Sequence, residues 1–269
     1  VNFVLTILVA TVALMAVVRR QCRRTQPKRV YPFAADLAED GRIRTFFKQI
    51  ASSPAEIIFV LRNPKVRANL DADELAHYQH ADLTEGHLSF EEAMTLLGTS
   101  TRDCLKIFLK IPTAPIGVFL AVIKQTIYRI RYRAFLNLYD FGAFMARDEY
   151  NSDHITRTQE LRRAGVRSLG ILHGMSTAPR VYPHIRYLDF DLLYVFGRHQ
   201  HEAYKETWPT TMAVKPTGCF SLTRAQIERL GAARSQDIII FANQVSDNDA
   251  YIKICAEIAR HYTDRTVYL

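Results

Sequence analysis

The alternation of apolar and polar positions divides the chain into three stretches of different character. Residues 1–18 are almost continuously apolar, with Asn2, Thr6 and Thr11 the only polar side chains and no side-chain charge. Eighteen helical residues rise about 27 Å, close to the ~30 Å hydrocarbon core of a bilayer. Six cations follow within eleven residues: Arg19, Arg20, Arg23, Arg24, Lys28 and Arg29. A secretory signal carries its cations ahead of the apolar run, not behind it. This order predicts a transmembrane anchor over 1–18 and a basic juxtamembrane segment over 19–30. The positive-inside rule then places the remainder at the cytoplasmic face of the cell membrane. A buried pair of elements is the competing reading of the apolar run.

The second stretch, to about residue 138, mixes periods. Residues 55–61 (AEIIFVL), between Ser-Ser-Pro and Asn-Pro, read as a buried strand. Residues 64–78 suit a helix with Pro64 in its first turn. Ser89 and Glu92 have the spacing of a capping box and open another helix. Residues 112–138 form a long apolar pattern, read as a core helix; Lys124 interrupts it too early for a bilayer span. A membrane-surface role with Tyr128–Arg133 as an aromatic and basic rim is the sharper alternative.

The third stretch alternates strands and helices at short intervals. Strands are expected at 142–146, 166–172, 192–196, 213–214, 238–242 and 266–269, and helices at 153–164, 198–206 and 248–262. Such alternation implies right-handed βαβ units and a parallel sheet. The Pro-, Gly- and Ser-containing segment 216–236 precedes a fresh strand. One domain over 31–235 is therefore expected, with a second beginning at 236–269; that short second piece reads as truncated.

Composition narrows the function classes. The 269 residues carry 35 Lys and Arg against 27 Asp and Glu, a net charge of +8. The cations cluster beside apolar runs, which fits a membrane surface better than nucleic acid. Four scattered cysteines (Cys22, Cys104, Cys219, Cys255) show neither disulfide-framework nor metal-finger spacing. His199 with His201, two apart, make a poor metal pair on a helix, and His77 with His80 lack an evident third ligand, so no metal is expected. No GxGxxG, GxxxxGK[ST] or GxSxG motif is present.

In a parallel sheet, ligands bind at the carboxyl ends of the strands. Glu149, His173 and Gly197 share that expected address. A strand-end histidine can act as general base because it titrates near neutrality, and Gly174 after it allows close approach. The bland alternative is a histidine that caps the sheet by bonding to the following loop.

The runs RDEYNSDHITRTQELRRAGVRSLGILHG, VYPHIRYLDFDLLYVFGRHQHEAYKETW and VKPTGCFSL resemble bacterial surface-polysaccharide biosynthesis proteins of the GT-B fold. That group includes capsule and polysialic-acid-type glycosyltransferases and CDP-glycerol glycerophosphotransferases. Shared elements are a His-Gly step after a strand, a Tyr-containing loop, an Asp before a strand ending in Gly, and a Gly-containing link. Here these are His173-Gly174, Tyr182, Asp191 with Gly197, and Gly218; Leu172 stands where Gln or Trp is usual.

The resemblance covers about residues 140–269. It implies a GT-B-like fold whose Rossmann-like N-terminal domain holds the acceptor, followed by the start of a nucleotide-sugar-binding domain. It further implies transfer from a nucleotide-sugar or CDP-polyol donor to a glycan or lipid-linked acceptor at the inner membrane, without a cofactor. His173 and Glu149 become the catalytic candidates, and Arg147, His154, Gly174, Tyr182, Gly197 and Gly218 the substrate-binding ones. A non-catalytic membrane-associated assembly protein with the same fold, or a nucleotide-sugar epimerase, are the competing expectations.

Overall fold

The computed structural model describes residues 2–22, 24–36, 41–62, 67, 70, 72–111, 113–147, 153–172, 188–206, 208–218, 228, 238–239, 248–263 and 267–268. The chain divides into two compact units, Val1–Ser221 and Leu222–Leu269.

The first unit is built on seven strands: β1 (Arg29–Asp36), β2 (Ile57–Leu61), β3 (Gln79–Asp82), β4 (Tyr139–Ala146), β5 (Arg167–Ile171), β6 (Leu192–Val195) and β7 (Ala213–Pro216). All neighbours pair in parallel, in the order β3-β2-β1-β4-β5-β6-β7. The chain thus winds outward from β1 to β3, then returns to β1's other side and winds out through β4 to β7. This is the doubly wound, Rossmann-like arrangement, and its topological switch lies between β1 and β4.

Alternation along β1 explains the two covered faces. Ala34 joins Ile58 and Val60 in a core with Tyr132, Phe135 and Leu161, whereas Ala35 joins Ile57, Phe59 and Met145 in a core with Ile43, Phe46 and Phe47. The first face is closed by α5 (Ile116–Leu138) and α6 (Asp153–Arg163), the second by α2 (Gly41–Ile50). β2 is buried along its whole length, as a strand covered on both faces must be. The remaining α-helices among the described residues of this unit are α1 (Asn2–Gln21), α3 (Ala72–His77), α4 (Phe90–Lys110) and α7 (Arg198–Tyr204). α4 starts with the expected capping box: Ser89 Oγ accepts from Glu92 N at 3.1 Å, and Ser89 N donates to the Glu92 carboxylate at 3.0 Å.

Two expectations change. Residues 2–18 do fall in a helix, α1, yet its last turns belong to the fold. Leu14 and Val18 are buried among Leu88, Ala93, Leu96, Ile130 and Ala134 of the α4–α5 layer. Gln21 Nε2 donates to Thr84 O at 3.0 Å. Among the described residues, no helix is long and apolar enough to cross a membrane. The second half of the run expected as a transmembrane anchor is thus docked on the domain, because α5 offers an apolar stripe that covers it. The basic segment expected over 19–30 likewise runs into the sheet, since β1 opens at Arg29, opposite Tyr139.

Two cations of the aromatic and basic rim considered for 128–133 are turned towards α6 instead. Arg133 forms a bidentate pair with the buried Glu160, with both contacts at 2.9 Å, and Arg129 donates to Gln159. These side chains tie α5 to α6.

In the second unit, β8 (Ile238–Ile239) pairs in parallel with β9 (Val267–Tyr268), and α8 (Asn248–His261) lies between them in sequence. That is a single βαβ element, with its own two-stranded sheet.

Candidate functional site

Parallel strands align their carboxyl ends along one edge, and the switch point opens a crevice there. At that crevice β1 ends in Asp36, β2 runs directly into Arg62, and β4 runs into Arg147. Asp36 Oδ2 accepts from Arg62 Nε at 2.5 Å and from Arg157 Nη1 at 3.0 Å. Arg157 comes from α6, one turn past its start. Asp36 and Arg157 are each 1% exposed, and Arg62 is also mostly covered.

The aromatic surroundings are part of this cluster. The Arg157 guanidinium lies 5.7 Å from the Phe144 ring centroid, within cation–π range. Tyr132, fully buried, hydrogen-bonds to Arg157; burial above all pushes its hydroxyl pKa up, with Arg62 opposing. The cluster sets the Arg62 and Arg157 guanidinium groups against the Asp36 carboxylate in a poorly solvated place. Nη2 of Arg157 is buried without a hydrogen-bond partner among the described residues. Such an arrangement favours an anion at the carboxyl edge, because Coulomb attraction is weakly screened there. Among the described residues, no group of three or more His, Cys, Asp or Glu side chains is placed to hold a metal.

The residues singled out from the sequence are distributed as follows. Arg147 lies at the end of β4 and is half-buried, at the expected edge. Gly197 caps α7 in extended backbone, and Gly218 follows β7 with φ +80°, a left-handed conformation that favours glycine. Gly218 N donates to Phe196 O at 3.1 Å, which ties the two strand ends together. His154 is buried, and its ring stacks on Phe190 at 5.4 Å and 12°. Glu149, His173, Gly174 and Tyr182 lie outside the described residues. The neighbour of His173, Leu172, is buried with Phe190, Leu193 and Trp208, and its N–H donates to Tyr194 O at 3.3 Å.

Asp191 occupies the opposite edge. Its carboxylate accepts from Ser168 N at 2.7 Å, from Ser168 Oγ at 2.9 Å and from Arg162 Nε at 2.7 Å, joining the amino-terminal ends of β5 and β6. Its role in this unit is to staple strands.

Asp36, Arg62 and Arg157 were not singled out by sequence reasoning. Arg62 carried a usable signal, since it directly follows the recognised strand 55–61. Arg157 sits in the polar run RTQELRR, which reads as a solvated face. In comparisons with known proteins, the chain matches no protein-family model and no curated protein.

Proposed function

We propose that the first unit is the acceptor-side half of a nucleotide-sugar- or CDP-polyol-dependent transferase of the GT-B plan, working at a membrane surface in polysaccharide assembly. The observation that carries this reading is the buried Asp36–Arg62–Arg157 cluster at the switch point of a doubly wound sheet, where Arg157 Nη2 is a buried donor without a hydrogen-bond partner among the described residues. An anionic donor or a phosphate-bearing acceptor suits that position. The ordered resemblance from Arg147 to Gly218 supplies the reaction class.

In this reading His173 takes the proton of an acceptor hydroxyl. The hydroxyl oxygen bonds to the donor's anomeric carbon, or to phosphorus for a polyol phosphate, and the nucleotide departs with its bonding electron pair. Glu149 orients or charge-balances the histidine, and Arg147, Gly174 and Tyr182 line the acceptor side. Residues 236–269 open the donor-binding domain. No cofactor is required, and the acceptor is a glycan or a lipid-linked glycan.

The test is His173→Ala in the full-length protein, with turnover read as nucleotide release from a panel of nucleotide-sugar and CDP-polyol donors. A positioned general base contributes about 10²–10⁴-fold, so turnover should fall by that factor while the unfolding midpoint stays put. Normal turnover in a folded variant overturns the assignment. A second reading, a non-catalytic assembly protein on the same fold, is favoured by Leu172. Its buried apolar side chain replaces the polar or aromatic residue that precedes His-Gly in the enzymes. Absence of turnover with every donor, in wild type and variant alike, would favour it.

A further inference from the structure

α5 passes directly into β4 at Leu138–Tyr139, so its first residues lie at the carboxyl edge of the sheet. Its 23 residues span about 34 Å, whereas the eight residues of β4 span about 26 Å. Lys124 and Gln125 already stand level with the first residue of α6, through Asp153 at 3.6 and 3.1 Å. The part of α5 before Lys124 therefore projects about 12 Å past that edge. α4 runs antiparallel to α5, with Thr126 Oγ1 against Ser100 Oγ at 2.8 Å, so its last turns project with it.

This projecting hairpin is apolar where it should be polar. Leu105, Phe108, Leu109, Ile111 and Val118 are all exposed, Phe108 at 52% and Leu109 at 68%. Leu105, Phe108 and Leu109 share one face of α4 at the spacing i, i+3, i+4. A cleft of about 490 Å³ lies between the two helices, lined by Ile107, Val118, Ala121 and Val122 together with Asp103, Gln125 and Arg129. Residues 102–118 carry Arg102, Lys106 and Lys110 against the single acid Asp103. The cations fall on the face of α4 next to the apolar one, where long stems can lift their charges to a headgroup layer.

α1 starts at the same place. Ala13 lines a groove with Leu120, Ile123 and Ile127, while Val18 packs further along with Ile130 and Ala134. α1 therefore runs parallel to α5, and its backbone begins about 16 Å before Ala13, level with the hairpin tip. The sequence of that first half is the uncharged run described above.

We propose that the α4–α5 hairpin tip inserts into the surface of an anionic lipid bilayer, turning the carboxyl edge of the sheet and its Asp36–Arg62–Arg157 cluster towards the membrane. The occupant is a lipid surface because the apolar residues are rimmed by cations and meet the uncharged start of α1. Interfacial insertion needs that combination, buried apolar area plus attraction to anionic headgroups. The inference rests on the membrane-facing part of the proposed function and does not need the transfer chemistry.

Flotation of the full-length protein with two kinds of vesicle tests it: phosphatidylcholine alone, and phosphatidylcholine with about 30% phosphatidylglycerol. Wild type should float with the anionic vesicles and less with the neutral ones. Phe108→Ser with Leu109→Ser should lower partitioning at least about tenfold with an unchanged unfolding midpoint. Lys106→Glu with Lys110→Glu should lower it at least about tenfold on anionic vesicles only, and added salt should mimic that loss. Wild-type flotation by both variants overturns the proposal and assigns the anchoring to another surface. A lipid-free oligomer that the Phe108 and Leu109 substitutions dissociate, without change in flotation, overturns it in favour of a second copy of the chain. Partitioning is read without donor or acceptor, so it stands or falls separately from the His173→Ala turnover.

Discussion

Asp36 and Arg157, 121 residues apart in sequence, meet at 3.0 Å at the switch point of the sheet, each 1% exposed. Asp36 sits between two cations, so its removal and that of Arg157 are not equivalent. Asp36→Asn leaves Arg62 and Arg157 facing each other in a poorly solvated site. Loss of one partner from a buried ionic cluster costs about 3–5 kcal/mol, and that range is expected here. Arg157→Met keeps the Asp36–Arg62 pair and much of the side-chain volume, so its cost should be clearly smaller. Urea unfolding of the two variants checks the ranking; equal losses would contradict it.

Asp191 gives a pH dependence. Burial opposes its ionisation, but Ser168 N–H, the Arg162 guanidinium and the Ser168 hydroxyl together outweigh burial and hold its pKa below the ordinary aspartate value. A depressed folded-state pKa gives stability that is fully present above the unfolded value, about 3.9, and is lost as pH falls through the folded one. The stability gap between wild type and Asp191→Asn should therefore be constant near neutrality and shrink below about pH 4. Denaturant midpoints at pH 7, 5 and 3.5 measure it. A gap that persists unchanged at the lowest pH would mean that packing, not charge, sustains the staple.

What was legible in the sequence follows from how local each signal is. The Ser89–Glu92 capping box is satisfied within four residues, and the apolar run 57–61 needs only two covered faces, so both could be read directly. β1 could not. Pro32 lies inside it, and proline has no N–H to give to a ladder, which argues against a central strand. The sheet accommodates it because pairing with β2 begins only at Phe33, so the missing donor is not needed on that side. With β1 hidden, Asp36 had no strand end to mark it. Arg157 had no reason to be read as buried, since its partner lies across the fold. The apolar run at the amino end was read by length and charge alone, which cannot reveal that α5 presents a stripe to cover Leu14 and Val18.

Gly86 predicts a sharp local cost. Its φ is +105°, and a Cβ there would lie 2.2 Å from Ala134 O, inside any tolerable contact. The close approach lets His87 N donate to Ala134 O at 3.2 Å and pins the β3–α4 connection onto α5. Gly86→Ala should destabilise by well over about 1 kcal/mol, because both backbone conformation and contact forbid it. Gly98, inside α4 with open space around it, is the control. Gly98→Ala should stabilise by up to about 1 kcal/mol through helix propensity. Thermal unfolding should move the two variants in opposite directions; a shift of the same sign would show that the connection yields.

His154 separates packing from ligand contact. Its ring is buried, stacked on Phe190, and Phe190 in turn approaches Gly170, where an added Cβ would lie 2.8 Å from the Phe190 ring. A ring so confined fills space in the core. His154→Ala should therefore cost about 3 kcal/mol, as other large-to-small changes beside an aromatic do. His154→Phe keeps a flat ring of similar width and should recover most of that loss. If the imidazole also holds the acceptor, the Phe variant would unfold like wild type yet show a raised KM for acceptor at unchanged kcat, because uniform binding alone would be lost. The expected result is recovery of both stability and KM. Measuring the unfolding midpoint and acceptor KM on one His154→Phe sample decides it, since stability without restored KM would move His154 from the core of the domain to its binding surface.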